Sequence, residues 1–209
     1  MNVNNSDNVI CGDNVKIGKF VVLGEIPNVE KISPLLIGDN SIIRSHSVIY
    51  TNTKIGNKFQ TGHGVLIREN CEIGNQVSIG SHSVLERDVF LGNNVRVHSN
   101  VFIPEYTHIE DNAWIGPSVV MTNAYHPLCS HVKECMKGPT IKKNAIIGAN
   151  VTLAPYVTLG EYSFVGAGSV VTKDVPDGMV AYGSPAQIQK KTSDLKCRTG
   201  IKKTNPYYD

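Results

Sequence analysis

The segment from Thr122 to Ile141, TNAYHPLCSHVKECMKGPTI, concentrates side chains that can do chemistry: His126, Cys129, His131 and Cys135. Imidazole moves protons near neutral pH, and imidazole and thiolate groups together bind Zn²⁺. The Cys-x-His and His-x3-Cys spacings are not a usual zinc pattern, so we expect no metal site here. The role of this segment depends on the elements that hold it, and these are set by the chain on either side.

The chain flanking this segment repeats with a period of six residues. From Ile37 to Met121, fourteen of the fifteen residues spaced by six are large and apolar, against about six expected from a hydrophobic content of 41%. The residue directly after each of these apolar positions is often Gly. The fourth residue after each apolar position is usually small or β-branched. The same six-residue period resumes at Ile141 and continues to Val171. Neither a helix nor an ordinary sheet has this period, whereas a parallel β-solenoid of hexapeptides does.

In such a solenoid each hexapeptide is one short strand and a turn, and three hexapeptides make a coil of about 18 residues. The repeating aliphatic residue points inward, and Gly, Asn and Asp suit the turns because they tolerate positive φ. We predict an all-β solenoid domain over residues 1–183, with residues 122–140 protruding from it. Residues 184–209 are predicted to form a short helix from Pro185 to Lys191, with Ser184 as N-cap, and then a basic tail.

Composition narrows the class of protein. The 209 residues carry a net charge of +2, which gives no reason to expect a nucleic-acid partner. No apolar run reaches the roughly 18 residues that span a bilayer, and the start of the chain lacks the basic and apolar regions of a signal peptide. Five cysteines are an odd number in a chain of this size, so we expect free thiols, a cytoplasmic location and no membrane association.

Because one coil takes about 18 residues, residues that are 18 apart in sequence should lie above one another on the surface of the solenoid. His46, His63, His82 and His98 fall just after interior positions separated by 18, so they should project near one corner of the prism, with Asn100 beside them. Histidine suits proton transfer and neutral hydrogen bonding alike. This column of histidines could line a polar groove that faces another subunit. It could equally consist of the polar turn residues that any solenoid has.

The repeats resemble those of a known family. They match the hexapeptide [LIV]-G-x-x-[STAV]-x of the left-handed β-helix acyltransferases over most of the chain, to about residue 190. The resemblance implies a left-handed coil and a homotrimer whose active sites lie between neighbouring subunits. It also implies acetyl-CoA as the acyl donor, with no metal.

Two branches of this family imply different catalytic residues. TNAYHP resembles the T-x-x-H-P loop of galactoside and maltose acetyltransferases, in which His126 would take the proton of a hydroxyl acceptor. FQTGHGVLIREN, VRVHSNVFIP and DNAWIGPSVVMTN are similar to sugar-nucleotide amine N-acetyltransferases of O-antigen and S-layer biosynthesis. In that branch the amine attacks the thioester directly, and Asn100 would support the reaction.

The resemblance implies binding residues as well. Stacked small residues would hold the pantetheine arm of acetyl-CoA through their backbone, and lysines at the same end would meet its phosphates: Gly148, Ala149, Gly166, Ala167, Lys173 and Lys190. The groove for the nucleotide-sugar acceptor would be lined by Arg68, Glu69, His82, His98 and Asn123.

The leading interpretation is therefore an acetyl-CoA-dependent N-acetyltransferase of a nucleotide-linked amino sugar, acting in lipopolysaccharide biosynthesis. One alternative is O-acetylation of a sugar or small hydroxyl compound with His126 as base. A non-catalytic trimeric scaffold is the alternative from another class.

Overall fold

The computed structural model describes residues 8–202 and 204–207. Within them, nearly every hexapeptide forms a strand of two or three residues followed by a turn. Residues 1–7 of the predicted solenoid domain and residues 203, 208 and 209 of the predicted tail lie outside the described residues. In chain order the strands are β1 Val9–Cys11, β2 Lys16–Ile17, β3 Val22–Glu25, β4 Leu35–Ile37, β5 Ile42–Ile43, β6 Val48–Tyr50, β7 Lys54–Ile55, β8 Gln60–Thr61, β9 Leu66–Ile67, β10 Glu72–Ile73, β11 Ser78–Ile79, β12 Val84–Leu85, β13 Phe90–Leu91, β14 Arg96–Val97, β15 Phe102–Ile103, β16 His108–Ile109, β17 Trp114–Ile115, β18 Val120–Met121, β19 Thr140–Ile141, β20 Ile146–Ile147, β21 Thr152–Leu153, β22 Thr158–Leu159, β23 Phe164–Val165, β24 Val170–Val171, β25 Met179–Gly183 and β26 Ala186–Lys191.

The strands form three sheets that are the faces of a prism. Sheet 1 contains β1, β4, β7, β10, β13, β16, β19 and β22. Sheet 2 contains β2, β5, β8, β11, β14, β17, β20, β23, β25 and β26, and sheet 3 contains β3, β6, β9, β12, β15, β18, β21 and β24. The chain thus passes from sheet 1 to sheet 2 to sheet 3 and then begins the next coil. The predicted hexapeptide solenoid is confirmed.

Neighbouring coils pair at a spacing of 18 residues, as Ile79 does with Thr61 on one side and Val97 on the other. The inward residue of each strand fills the interior, and Ile79 and Leu85 are at most 1% exposed. Burying such a side chain contributes roughly 1.5–3 kcal/mol, so this column is a main source of stability. Thr61 is the polar member of the series, and its hydroxyl accepts a hydrogen bond from the backbone N–H of Arg44 at 2.8 Å.

Three columns of turns form the corners of the prism, and we name each by what it carries. The asparagine corner joins sheet 1 to sheet 2 and contains residues 38–41, 56–59, 74–77, 92–95, 110–113, 142–145 and 160–163. The histidine corner joins sheet 2 to sheet 3 and contains residues 44–47, 62–65, 80–83, 98–101, 116–119, 148–151 and 166–169. The loop corner joins sheet 3 to the next coil and contains residues 51–53, 68–71, 86–89, 104–107, 122–139 and 154–157.

The asparagine corner shows why these turns favour particular residues. Asn94 and Asn112 have φ of 57° and 61°, a left-handed conformation that Asn tolerates better than most residues. Side-chain amides also join the coils: Oδ1 of Asn75 accepts the N–H of Asn57 at 2.8 Å, and Oδ1 of Asn93 accepts the N–H of Asn75 at 2.9 Å. Asparagine therefore supplies both the backbone shape and a hydrogen bond to the coil before it.

Insertions interrupt the coil without disturbing the stack. Val120 pairs with Thr152, 32 residues later rather than 18, because residues 122–139 form an exposed loop outside the prism. A shorter insertion lies between β3 and β4. The loop contains α1 Val132–Cys135, in which no residue is buried. No helix of the described residues is long and apolar enough to cross a membrane.

The helix predicted from Pro185 to Lys191 is wrong. Residues Ala186–Lys191 form β26, which pairs antiparallel with β25. Without β26, the outer edge of β25 would present unpaired backbone N–H and C=O groups at the end of the solenoid. Hydrogen bonding to these backbone groups of β25 outweighs the local preference for a helix start at Ser184 and Pro185. The helical part of the described tail is one turn of 3₁₀ helix, Thr192–Asp194.

The inward and outward residues of one strand should differ sharply in their contribution to stability. Ile73 of β10 is 5% exposed, whereas the Glu72 side chain is 64% exposed and lies 4.0 Å from Lys54. We expect Ile73→Ala to lower the free energy of unfolding by about 2–5 kcal/mol and Glu72→Ala to change it by less than about 1 kcal/mol. Urea denaturation of both variants measures this difference, and equal losses would contradict the assignment of the interior.

Candidate functional site between the corners of the prism

The histidine corner collects candidate groups that the 18-residue map predicts to lie together. His82 and Asn100 occupy equivalent positions in successive coils, with φ of 59° at each. Gly64 occupies the same position one coil earlier, and an added Cβ there would lie 2.9 Å from Nδ1 of His82. A glycine with positive φ therefore makes room for the His82 ring. His63 is already engaged, because its Nδ1 lies 2.9 Å from Oγ of Ser45.

His98 lies at the start of the same turn in a partly buried environment. Its Nε2 is buried and has no hydrogen-bond partner among the described residues, and its ring centroid lies 4.6 Å from that of Trp114. Desolvation, with a smaller contribution from the charge of Arg96, lowers the pKa of His98. The imidazole is therefore neutral near pH 7, and its buried Nε2 has no hydrogen-bond partner among the described residues.

The small residues predicted to hold the pantetheine arm also lie at the histidine corner. Ala149 and Ala167 occupy equivalent places in successive coils, each preceded by a glycine, Gly148 or Gly166. An added Cβ on Gly148 would lie 2.5 Å from the backbone nitrogen of Ala167, so the coils can stack here because Gly148 has no side chain. The result is a strip of backbone with little side-chain cover, on which a thin ligand can lie.

The two lysines predicted to meet the cofactor phosphates are separated from each other. Lys190 lies in β26, at the end of the sheet that leads into the histidine corner. Lys173 follows β24 and lies on the far side of sheet 3. Both are exposed. One chain therefore does not bring Lys173 together with the stacked residues Ala149 and Ala167.

Arg68 and Glu69, predicted to line the acceptor groove, lie at the loop corner and bind each other. Nε and Nη2 of Arg68 each lie 3.0 Å from an oxygen of Glu69, and Nη1 lies 3.3 Å from Glu86. The Glu69 side chain is only 4% exposed, and its hydrogen bond raises the pKa of Arg68. Because these charges are paired within the chain, we expect the pair to shape a groove wall.

Sequence reasoning missed Arg87 and Glu105, which belong to the same column of the loop corner. Nε of Arg87 lies 2.6 Å from Oε1 of Glu105, and this hydrogen bond raises the pKa of Arg87. The other carboxylate oxygen of Glu105 lies 3.5 Å from Nδ2 of the predicted residue Asn123. The regular spacing of 18 from Glu69 through Arg87 and Glu105 to Asn123 was the signal that could have found them.

His126 lies in the exposed loop that leaves this corner. Within the described part of the chain its imidazole makes no hydrogen bond, and the ring of Tyr125 lies 6.5 Å away. His126 lines a cavity of 280 Å³ together with Cys129 and Cys135. Tyr156 anchors the loop, because its ring stacks on that of Tyr125 at 5.9 Å and its hydroxyl donates to the carbonyl of Cys135. The imidazole is thus held on a fastened loop with both nitrogens available.

The cysteines of this region are free thiols. Across residues 8–202 and 204–207, no three His, Cys, Asp or Glu side chains converge as a metal site would require. Cys71, inside the prism, is inert because burial raises the pKa of its thiol to about 12.

Within one chain, two sets of candidate residues lie apart. His82, His98 and Asn100 are at the histidine corner with the stacked small residues, whereas Asn123 and His126 are at the loop corner with the Arg68–Glu69 pair. Sheet 3 separates the two sets and has one corner along each of its edges.

Known proteins share both the repeat and the fold. The family model described as bacterial transferase hexapeptide (six repeats) matches residues 52–87 and 138–173. The solved structure of the polySia-specific acetyltransferase NeuO superposes with a TM-score of 0.55 and 18% identity, over 95% of this chain and 89% of that one. The chain contains the bacterial transferase hexapeptide repeat in these two stretches, and its fold is the left-handed parallel β-helix.

Two curated relatives match shorter stretches. A galactoside O-acetyltransferase of Lactococcus lactis is 35% identical over 95 residues, which are 44% of this chain and 46% of that protein. The dTDP-3-amino-3,6-dideoxy-alpha-D-galactopyranose 3-N-acetyltransferase of Aneurinibacillus thermoaerophilus is 52% identical over 60 residues, which are 27% of this chain and 31% of that protein. The chain spans less than half the length of these relatives.

The lowered pKa of His98 should make stability depend on pH. Because the folded-state pKa lies below the ordinary value of about 6.5, the unfolded chain takes up the proton first and stability falls as pH falls through this range. We expect NMR titration to give His98 a pKa below 6.5. We also expect the free energy of unfolding to decrease less in His98→Gln than in the wild type when the pH is lowered from about 7.5 to about 5.5. An identical decline in both proteins would show that His98 is not the cause.

Proposed function

We propose that the protein is an acetyl-CoA-dependent acetyltransferase that acetylates an amino group of a nucleotide-linked amino sugar, at a site shared between subunits of a homotrimer. The match of residues 52–87 and 138–173 to the bacterial transferase hexapeptide model supports the reaction class. The high identity of one segment to an N-acetyltransferase of a dTDP-linked amino sugar supports an amine acceptor. The observation that carries the proposal is the apolar face between the two candidate corners.

This apolar face is the outer side of sheet 3. Phe102, Val120 and Val22 of this face are 38%, 41% and 43% exposed. The outward residues of the other two sheets include charged side chains, such as Glu72 and Arg96. A half-exposed stripe that is apolar at every position except Thr152 marks a surface that another protein covers. Its outward residues are Val22, Val48, Leu66, Val84, Phe102, Val120, Thr152 and Val170.

Three copies of the chain cover this stripe when their sheet 3 faces surround a common axis. In a cyclic assembly each contact is heterologous, so one edge of a subunit meets the opposite edge of its neighbour. The two edges of sheet 3 are the histidine corner and the loop corner. Asn100 and Ala149 of one subunit would then lie beside Asn123 and His126 of the next, which completes a site that one chain leaves divided.

The chemistry of this site follows from the groups that it joins. The amine nitrogen attacks the thioester carbonyl carbon, the carbon–sulfur bond breaks, and CoA leaves as the thiolate. Asn100 would donate a hydrogen bond to the developing oxyanion or hold the amine in line. The surplus proton on nitrogen passes to the thiolate, to water or to His126. Acetyl-CoA would lie with its pantetheine arm along Ala149 and Ala167.

A hydroxyl acceptor is the second candidate, favoured by the unengaged imidazole of His126. A hydroxyl is a weak nucleophile until a base takes its proton, so such a reaction requires His126. The match to a galactoside O-acetyltransferase supports this alternative.

Turnover assays with amino and hydroxy sugars separate these possibilities. For an amine acceptor we expect Asn100→Ala to lower kcat more than His126→Ala, whereas for a hydroxyl acceptor His126→Ala should cost about 10²–10⁴-fold. His131→Ala is the matched control, because this loop histidine is exposed and pairs with Glu134 at 3.2 Å. Release of CoA thiol measures turnover. No thiol release with any acceptor, together with no CoA binding by calorimetry, would instead indicate a non-catalytic scaffold.

Mixed trimers test whether the site is shared. When His126→Ala and Asn100→Ala chains are co-assembled in equal amounts, about a quarter of the interfaces should pair an intact Asn100 with an intact His126. The test uses an acceptor for which each variant alone is impaired by about tenfold or more. With that acceptor, activity of the mixture should rise to about a quarter of the wild type. A mixture no more active than the mean of its two components would place both residues in one subunit's site.

A further inference from the structure

The first coil of the described chain, formed by β1, β2 and β3, leaves the interior of the prism exposed at its N-terminal end. Ile17 is the inward residue of β2 and pairs with Ile43, yet it is 41% exposed. The residues that follow it in the same interior column, Ile43 and Thr61, are at most 1% exposed. The interior column therefore ends in an apolar side chain that the coil itself does not bury.

The backbone of this coil is open on the same side. The N–H groups of Lys16 and Gly18 donate to the second coil, to the carbonyls of Ser41 at 2.8 Å and Ile43 at 2.7 Å. Because successive residues of a strand in a ladder hydrogen-bond to opposite neighbours, the N–H and C=O of Ile17 point away from the second coil. Within the described chain, β1, β2 and β3 each form the end of their sheet. All three faces thus present a strand edge, which is a template for pairing with another chain.

Phe20, in the turn between β2 and β3, adds a large apolar side chain to this end. It is 74% exposed, and Ile10 of β1 is 56% exposed. The φ of Phe20 is 59°, a left-handed conformation that is unfavourable for a bulky residue, and its ring centroid lies 5.1 Å from that of His46. An exposed aromatic ring in a strained turn gains little from its own chain, which indicates a contact with another molecule.

Two candidate coverings fit this end poorly, and a third fits it well. The seven residues before Asn8 contain two apolar side chains, Met1 and Val3. The C-terminal end of a second molecule is closed on sheet 2 by β26, which runs antiparallel to β25 and ends in Lys190 and Lys191. The N-terminal end of a second molecule, in contrast, presents the same three open edges and the same apolar residues.

We propose that two trimers of this chain associate through their N-terminal ends, so that each prism stacks on one prism of the other trimer about a two-fold axis. The proposal rests on the homotrimer of the proposed function. An axis that is perpendicular to the prism and passes through the turn between β1 and β2 places β2 of one prism against β1 of the other, and β3 against β3. Strands related in this way run antiparallel, so their open edges can hydrogen-bond.

Charges of the first coil are complementary in this arrangement. Lys19 lies in line with the histidine corner, where its carbonyl accepts the N–H of His46 at 3.2 Å. Glu25 lies in line with the loop corner, where its carbonyl accepts the N–H of Thr51 at 2.9 Å. The two-fold axis exchanges these two corners, so Lys19 of each prism faces Glu25 of the other. Both residues are exposed, and across residues 8–202 and 204–207 neither forms an ion pair.

The apolar surface at this end reaches the size of a stable interface when three prisms act together. Ile10, Ile17 and Phe20 of one prism offer roughly 300 Å² between them, since a fully buried aromatic side chain removes about 150–250 Å². A stable interface takes about 800 Å² from each partner. The three ends of one trimer reach this size, whereas a single end does not. Association of the ends therefore follows trimer formation and is the first contact to break on dilution.

Sedimentation velocity of the full-length protein over a range of concentrations tests this assembly. At 22.7 kDa per chain, particles of six chains and of three chains are well separated. We expect the wild type to form six-chain particles that dissociate into trimers on dilution. Particles of three chains at every concentration would overturn the proposal.

Charge reversal tests the head-to-head arrangement. Lys19→Glu and Glu25→Lys each place like charges opposite one another at every stacked pair of prisms, so each should raise the dissociation constant of the two trimers about tenfold or more. The double variant exchanges the charges and should restore the constant to within about threefold of the wild type. Asp13, in the turn on the axis, meets its own copy, so Asp13→Asn should lower the constant. Single variants without effect, or a double variant that does not recover association, would contradict the arrangement.

Phe20→Asn separates association from folding. Asn tolerates the left-handed turn, so at concentrations where the wild type is trimeric the variant should keep the wild-type midpoint of urea denaturation. It should nevertheless lose the six-chain particles. Phe90→Ala is the matched control, because it removes an exposed aromatic residue of sheet 1 that lies four strands above β1, and it should leave association unchanged. Six-chain particles that persist undiminished in Phe20→Asn would count against the contact.

Thiol release keeps this proposal separate from the enzymatic one. Lys19 and Glu25 lie outside the candidate site, so their variants should turn over like the wild type. Six-chain particles without thiol release would leave the end contact standing and remove the transferase proposal. Two-chain particles that respond to charge reversal would keep the end contact and remove the trimer, whereas a monomer at every concentration would remove both.

Discussion

One conformational constraint organises the molecule: each turn must contain a residue with a left-handed backbone. Nineteen non-glycine residues of the described chain have positive φ, and they recur at multiples of six from Asn40 to Ser118 and again from Asn144 to Tyr162. This conformation costs roughly 1–2 kcal/mol for most side chains, and buried aliphatic residues on the adjoining strands offset it. His82 and Asn100 occupy such positions, so the constraint that closes the coil also projects the candidate polar groups from the corners.

The period of six made the coil, its interior and its columns predictable, because every hexapeptide repeats the same choice of inward and turn residues. The tail was not predictable in this way. Ser184 and Pro185 carry a local helix-start signal, whereas the strand that forms there depends on an edge created by residues far away in sequence. The pairing of Arg68 with Glu69 also escaped prediction, because side-chain pairing at a corner does not alter the hydrophobic period.

Two faces of the prism present different surfaces. Sheet 3 presents mostly aliphatic side chains and separates the polar corners, which fits association with identical subunits. The end of sheet 2 presents Trp114 and Phe164 near Tyr207 of the tail. The histidine corner is the shared edge of both surfaces, and there the ring of His98 contacts that of Trp114.

The antiparallel direction of β26 has a consequence for self-association. A parallel solenoid ends in an open strand edge on which the first coil of another molecule could continue the same hydrogen-bonding pattern, as in a fibril. β26 reverses the chain direction at this edge and places Lys190 and Lys191 at its end. At the end of sheet 2 the hairpin thus replaces a parallel strand edge with an antiparallel one that ends in lysines, which disfavours continuation of this sheet by another molecule.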